Sequence, residues 1–368
     1  MFWAKNPTTI GEQLKIYFQQ VCLINKKMER NLGFGIVGTG NIAKFHANCI
    51  EKIDNAHLIG VLSKTETRAN QVVQDFNCPV FWDIEKLLSY SDIDIICVCN
   101  ESGLHGVTIA KIAKAGKHVL CEKPLETTVE KIDQIAATIK SSGIRLGCVF
   151  QNRENPEYKK LKSYIRSGTL GKILLSQISI NWYRPPSYYE DSWRGTNTLD
   201  GGAALINQGI HTIDLMLDLM GEVSEISGFV DTLHHEIEGE DVAVASMKFK
   251  SGTLGTLSGG TALYPGEPES ISIYGTMGNI TFSGGEITST TVTSIQQELS
   301  ILNNEHGSGA SDPMAITDQF HIALIMDMMH AVVHDRDPKV TIDQAKKSVA
   351  LINSIYKSKG NQIKLIKT

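Results

Sequence analysis

The stretch Gly201–Gly221, GGAALINQGIHTIDLMLDLMG, carries an amide, an imidazole and a carboxylate at positions i, i+4 and i+7: Asn207, His211 and Asp214. On a helix these three share a face. Leu205, Ile206, Ile210, Ile213, Leu217 and Met220 make most of the remainder apolar, so the helix reads as buried nearly all round. A buried polar group without a partner costs roughly 1–3 kcal/mol. The stripe is therefore either satisfied within the core or aimed into a cavity where a ligand satisfies it. His211 is the member that can move a proton near neutral pH. Asn207 can hydrogen-bond but cannot exchange a proton, and Asp214 would either orient the histidine or close a structural hydrogen bond. Lys123, in CEKPLETT, is the second chemically capable group. It follows a strand-like run, at the edge where ligands bind in open α/β sheets. The bond to Pro124 can be cis, which would aim the ammonium into a cleft. There it could stabilise an alkoxide or share in proton transfer. The plainer alternative is a surface lysine beside a turn.

These side chains need a scaffold, and the first half of the chain supplies one. GFGIVGTGNIAKFHANCI reads as a strand, a glycine turn and a helix, with Gly38-Thr39-Gly40-Asn41-Ile42-Ala43 matching GxGxxG/A. The first glycine permits the turn, the second lets backbone approach a pyrophosphate, and the small third residue packs helix on strand. The phosphates would lie at the helix N-terminus. AHLIGVLS, DIDIICVCN and KHVLCEKP continue the alternation and predict a doubly wound parallel sheet. After the second strand stand Ser63, Lys64 and, one turn on, Arg68, where NAD enzymes usually place an acid. This favours NADP over NAD, although Glu66 could swing in. After residue 150, KILLSQISINWY, VAVASMKFK, GTLGTLSGGTALY, ESISIYG and GNITFSG predict a mostly antiparallel sheet, interrupted by one long helix over about 203–220 and followed by further helices.

The 368 residues suit two domains. A net charge of −5 gives no basic footprint for nucleic acid, and no apolar run is long enough to span a bilayer. The seven cysteines (Cys22, Cys49, Cys78, Cys97, Cys99, Cys121, Cys148) form no CxxC and include several in apolar runs, a reduced-thiol pattern that predicts a cytoplasmic protein. No metal-ligand spacing stands out. Residues 1–30 differ in composition. Ile10, Leu14, Phe18 and Val21 recur at helical spacing, and the segment reads either as a short amphipathic helix, or as a tail or early start with Met28 as the true first residue.

In order and spacing, GIVGTGNIA, VCNESGLH, AGKHVLCEKPL, GGAALINQGIHTIDL and ISIYGTMGNI closely resemble the glucose–fructose oxidoreductase/inositol dehydrogenase family, called Gfo/Idh/MocA, over residues 32–360. With residues 1–30 set apart as an extension by their composition, the resemblance implies a Rossmann domain (31–150) and an α/β domain with a large open sheet for substrate binding and oligomerisation (151–368). It implies hydride transfer between NAD(P) and a secondary hydroxyl or ketone of a sugar, and a homodimer or homotetramer. Lys123 and His211 map onto the family's lysine and histidine. Asn100, His105 and Glu122 join the cofactor-binding set. The family's acid maps onto Asn207, so hydrogen bonding to substrate is the expected role there, and GGA stands where many members have GGG. QNRENP, WYRPPSYYEDSWRGT and NQGIH resemble members that act on nucleotide-linked sugar acids. Arg153, Tyr183, Arg184, Trp193 and Arg194 would then hold an anionic or aromatic ligand by bidentate pairing and stacking. Two rivals stay open: cofactor-retaining chemistry, such as glycosidic elimination or sugar–sugar oxidoreduction, and a non-catalytic sensor.

Overall fold

Leu32–Val37 is buried at every position, as expected of a strand at the centre of a parallel sheet. In the computed structural model, which describes residues 30–64, 66, 69–190, 192–299 and 317–365, this segment is β1. The extension before Arg30, and Arg68 with it, lie outside the described residues. With β1 pair β2 (Ala56–Leu62), β3 (Val80–Phe81), β4 (Ile95–Val98), β5 (His118–Cys121) and β6 (Leu146–Cys148), all parallel, in the order β3-β2-β1-β4-β5-β6. Helices α1 (Asn41–Glu51), α2 (Ala69–Phe76), α3 (Ile84–Leu88), α4 (His105–Lys114) and α5 (Val129–Ser142) link them. The order reverses between β1 and β4, which opens a crevice past their carboxyl ends.

The second sheet contains β7 (Ile173–Asn181), β8 (Val223–Asp231), β9 (Val242–Phe249), β10 (Leu254–Gly260), β11 (Ser270–Gly275), β12 (Gly278–Ser283), β13 (Glu286–Thr290) and β14 (Ile363–Lys364). Its order is β13-β12-β11-β7-β10-β9-β8-β14, antiparallel except between β7 and β10. The α/β class with a parallel sheet followed by a large, mostly antiparallel one is as the sequence predicted. β8 and β13 lie outside the runs read as strands, because their polar residues break the alternation. The remaining helices are α6 (Pro156–Arg166), α7 (Ile210–Met220), α8 (Thr293–Leu299), α9 (Asp318–Val333) and α10 (Ile342–Ser358). α7 and α10 pack on one face of this sheet. The other face leaves Leu174, Phe229, Val244 and Leu254 exposed.

The chain then returns to the first sheet. α9 packs on α1, where Asp318 accepts from Cys49 Sγ through its carbonyl and pairs with Lys52 through its carboxylate. Among the described residues the six cysteines are free and buried, and no helix is long and apolar enough to cross a membrane.

The long helix predicted over 203–220 is not one regular helix. Ala204–Gly209 forms a wider π turn, in which Ala203 O accepts from both Asn207 N (3.3 Å) and Gln208 N (3.4 Å), and only then does α7 begin. The buried Glu240 carboxylate caps the turn, accepting from Ala203 N (3.1 Å) and Leu205 N (2.7 Å). Ala203 has φ −144, so a third glycine is not required there.

Candidate active site

A cleft of about 1760 Å³ lies between the two sheets. Its first wall is backbone. Gly38 has φ +116, and a Cβ there would lie 2.6 Å from Cys99 O. At Gly40 a Cβ would meet nothing within 4 Å. Gly40 is also the N-cap of α1, with no side chain capping the helix among the described residues. Unclaimed N–H groups facing open space make an anion cradle. Thr39, Asn41 and Ile42 line it, and Ala43 is buried against the sheet.

Ser63 and Lys64 line the cleft beyond β2, but Lys64 is ion-paired with Glu101, just past β4. Glu101 Oε2 is buried without a hydrogen-bond partner among the described residues. An acid therefore stands beside the expected cation. It comes from a different strand, so its distance in sequence from the glycines concealed it. Asn100 and His105 are bound to each other: His105 Nε2 lies 3.1 Å from Asn100 O, and Nδ1 lies 3.0 Å from Pro124 O and 3.3 Å from Cys121 Sγ. Burial lowers the His105 pKa. A neutral ring has one N–H; with Nδ1 accepting from the Cys121 thiol and Nε2 donating to Asn100 O, His105 braces the two strand ends.

The Lys123–Pro124 bond is cis, and Lys123 faces the cleft. Its Nζ donates to Asn207 O at 2.8 Å. Burial lowers the ammonium pKa, while Glu122 and Asp200 oppose that shift. Glu122 is buried and 2.8 Å from His46 Nε2. Burial acts against both charges. For His46 the hydrogen bond with Cys97 and then the Glu122 contact outweigh burial and hold it above its ordinary value; for Glu122 the His46 contact does so and holds it below. His46, Glu122 and His321 bring three ligand-type atoms within 4.8 Å of one another, a metal-type cluster the sequence spacing did not suggest. The His46–Glu122 contact within it is already a charge-assisted hydrogen bond.

The opposite wall is a chain of side chains. The Arg184 guanidinium, 1% exposed, donates through Nε (3.1 Å) and Nη2 (2.8 Å) to Gln208 Oε1. Gln208 Nε2 donates to Tyr188 Oη (2.9 Å) and Asn207 Oδ1 (2.8 Å). Asn207 Nδ2 donates to Asp200 Oδ1 at 2.6 Å, and Gly195 N–H donates to Oδ2 at 2.8 Å. Burial pushes the Asp200 carboxyl up to about 6 against these bonds. Sequence reasoning missed Gln208 and Asp200. Gln208 sits inside NQGIH and Asp200 just before Gly201, each a single polar residue with no spacing to mark it.

His211 lines the cleft one turn beyond Asn207, its ring edge-on to Phe150 at 5.9 Å. Its Nδ1 is buried and has no hydrogen-bond partner among the described residues. Burial, then the Lys123 charge, push its pKa well below 6.5. The imidazole is thus held neutral, more firmly than the near-neutral value of a free histidine. Asp214 does not orient it. Although the two share a helix face, Asp214 takes Arg153 as a bidentate partner, with both contacts at 2.7 Å.

That pairing corrects one expectation. Arg153 is bound to Asp214 and Gln344, outside the cleft lining, so it is not placed to hold a ligand. Tyr183 is a second correction: it packs edge-on against Tyr264 at 5.2 Å, also outside the lining. Arg184, Trp193 and Arg194 do line the cleft. Arg184 is committed to Gln208. Arg194 stacks over Tyr188 (4.6 Å) and Trp193 (6.0 Å), with no carboxylate partner among the described residues.

Comparison with known proteins assigns this architecture. Residues 32–150 match the oxidoreductase family with an NAD-binding Rossmann fold, and residues 158–281 match the GFO/IDH/MocA C-terminal domain. The chain belongs to the Gfo/Idh/MocA family of oxidoreductases. Within it, myo-inositol 2-dehydrogenase of Thermotoga maritima is 29% identical over 67% of this chain and 73% of its own. The scyllo-inositol 2-dehydrogenase (NAD(+)) of Bacillus subtilis is 26% identical over 86% and 89%. The WlbA dehydrogenase of Bordetella pertussis, solved with NADH and UDP-GlcNAcA, superposes with a TM-score of 0.83 at 26% identity, over 92% of this chain and 99% of that one.

Proposed function

We propose that this Gfo/Idh/MocA chain is an NAD(P)-dependent dehydrogenase that oxidises a secondary hydroxyl of a nucleotide-linked sugar acid, or reduces the matching ketone. The carrying observation is the Lys123–Asn207 contact. It ties the turn after β5 to the π turn that leads into α7 and His211, so an ammonium and a neutral imidazole from opposite walls line one cleft. The cradle at Gly38–Ile42 and the N-terminus of α1 would hold the pyrophosphate. When bound, the nicotinamide supplies the hydride chemistry. His211 takes the hydroxyl proton in oxidation and returns it in reduction. Lys123 stabilises the negative charge left on that oxygen, and Asn207 positions the sugar.

The cleft exceeds the ~300–1,000 Å³ of ordinary small-molecule pockets, which supports a dinucleotide and a large substrate together. Arg194 on its aromatic platform suits an anionic group, and WlbA holds UDP-GlcNAcA with NADH. The expected preference for NADP over NAD finds no such support. Lys64 is neutralised by Glu101, so we infer that NAD binds at least as well. The exposed apolar face of the second sheet supports a homo-oligomer.

The test is reduction of NAD and of NADP by UDP-GlcNAcA, myo-inositol and scyllo-inositol, with native mass spectrometry of the purified protein. Oxidation of UDP-GlcNAcA in preference to the inositols is expected. A protein that turns over none of them yet retains its dinucleotide would overturn the reading in favour of cofactor-retaining chemistry. One that binds dinucleotide reversibly without turnover would be a sensor.

A further inference from the structure

The side-chain chain across the cleft has a direction. A guanidinium can only donate, so the oxygen of Gln208 must face Arg184 and its nitrogen must face Asn207. Asn207 then presents Oδ1 to Gln208 and Nδ2 to Asp200. Neither amide is free to flip. The chain starts on a buried cation and ends on a buried carboxylate, Asp200, which is 0% exposed and uses both oxygens as acceptors. The backbone carbonyl of Asn207 in turn receives Lys123 Nζ.

We propose that Asp200 is a positioning residue for the reaction: through Asn207 it fixes both the amide that faces the sugar and the backbone carbonyl that receives the Lys123 ammonium. This rests on the dehydrogenase reading of the cleft. The ammonium is useful only while charged; burial works against that charge and so does Arg184, whereas Glu122, then Asp200, then Cys148 support it. Of the groups facing Asp200, Lys123 favours its ionised form, whereas Glu240 from the β8–β9 connection opposes it. Tyr189, from the turn after Pro186, and Tyr356, on α10, complete its charged and titratable surroundings. Glu240 cannot take over the role, since it is bound by Ala203 N, Leu205 N and Tyr356 Oη.

Two variants test this. Asp200→Asn removes the charge but sets an NH2 group against either Gly195 N–H or the Asn207 amide, so it also strains the turn. The exchange Asp200→Asn/Asn207→Asp keeps both the charge and the bonding. Asn at 200 then accepts from Gly195 N–H and donates to Asp at 207, which also accepts from Gln208. The readout is Lys123 titration by NMR in dinucleotide-saturated protein grown with isotope-labelled lysine, the signal being assigned by its loss in Lys123→Met. In Asp200→Asn the Lys123 pKa should fall by about one unit, the low end for loss of a neighbouring opposite charge. In the exchange it should stay at or above the wild-type value. An unmoved Lys123 in the single variant, or a fall of similar size in the exchange, overturns the proposal and leaves Asp200 a structural residue. If the single variant does not fold, the exchange decides alone. With UDP-GlcNAcA and NAD, turnover should drop and KM rise in Asp200→Asn, and both should recover in the exchange. Failure of wild-type protein to oxidise UDP-GlcNAcA would count against the substrate assignment, while the lysine titration still judges Asp200.

Discussion

The two walls of the cleft are built from different material. The dinucleotide wall is mostly backbone: a left-handed glycine, an open position at Gly40 and the uncapped start of α1. Its charged side chains, Lys64 and Glu101, are paired at the rim. The substrate wall is mostly side chain: Arg184, Gln208, Asn207 and Asp200 in series, with His211 one turn further on. The first wall should tolerate changes of side chain but not added atoms at its glycines. The second should fail when a single polar group is lost, because each buried member satisfies the next.

The largest expected effect is on the second wall. His211→Asn should lower turnover by roughly 100- to 10,000-fold, the usual range for general acid–base help, with dinucleotide affinity unchanged. Oxidation needs the neutral base, so activity is lost as pH falls through the histidine's pKa. Burial and Lys123 lower that pKa. The acid limb of kcat should therefore lie below the ordinary histidine value of about 6.5. Near-full turnover in His211→Asn, or an acid limb at or above the ordinary value in wild-type protein, would break the catalytic assignment.

Next in size is a contrast between two arginines. Arg153→Ala leaves Asp214 buried and unpaired, which should cost about 3–5 kcal/mol of stability, with KM unaffected in whatever folds. Arg194→Ala should do the reverse, raising KM for UDP-GlcNAcA while stability stays within about 0.5 kcal/mol. Chemical denaturation and steady-state kinetics on both variants decide. A stable Arg153→Ala with a raised KM would return that residue to the substrate wall.

The same contrast explains what could be read before folding. GTGNIA and the β-α alternation are local patterns, set by neighbours within a turn, and β1, α1 and the cradle appear where those patterns put them. Lys123 also lines the cleft, because strand ends are predictable places. Arg153 was misplaced because its partner, Asp214, lies on α7, and only the tertiary fold brings the two together. Lys64 reads as a free cation for the same reason, its partner Glu101 being a neighbour only across β1 and β4. The π turn was hidden too. An apolar segment with polar residues at helical spacing gives no sign that its first turn will be wide or that a distant carboxylate, Glu240, will cap it.

Two glycines sharpen the comparison on the first wall. Gly38→Ala forces a Cβ onto Cys99 O at a left-handed φ and should cost about 1–3 kcal/mol in stability. Gly40→Ala sits at φ −75 with nothing nearby, so it should melt like the wild type. Its methyl group instead occupies the ligand's side of the cradle, so dinucleotide affinity should fall. Thermal melting with calorimetric titration separates them. A Gly40→Ala protein that binds dinucleotide normally would show that the cradle does not approach the pyrophosphate.

The smallest effect concerns the rim. Glu101→Gln releases Lys64 from its ion pair and removes a carboxylate that would repel a 2′-phosphate. Both changes favour NADP. The shift should be modest, because an exposed pair is worth at most about 1 kcal/mol, or roughly a fivefold change in the ratio of NADP to NAD affinity. Ser63, buried and beside Lys64, is unchanged, so the variant isolates charge from shape. Lys64→Ala should move the ratio the other way and by less, since Glu101 already cancels much of its charge. Titration of both cofactors at low and high salt supplies the control: the Glu101→Gln shift must shrink as salt rises. A ratio that does not move in Glu101→Gln would mean that the Lys64–Glu101 pair lies outside the reach of the ribose, and that cofactor choice is made by residues beyond β2.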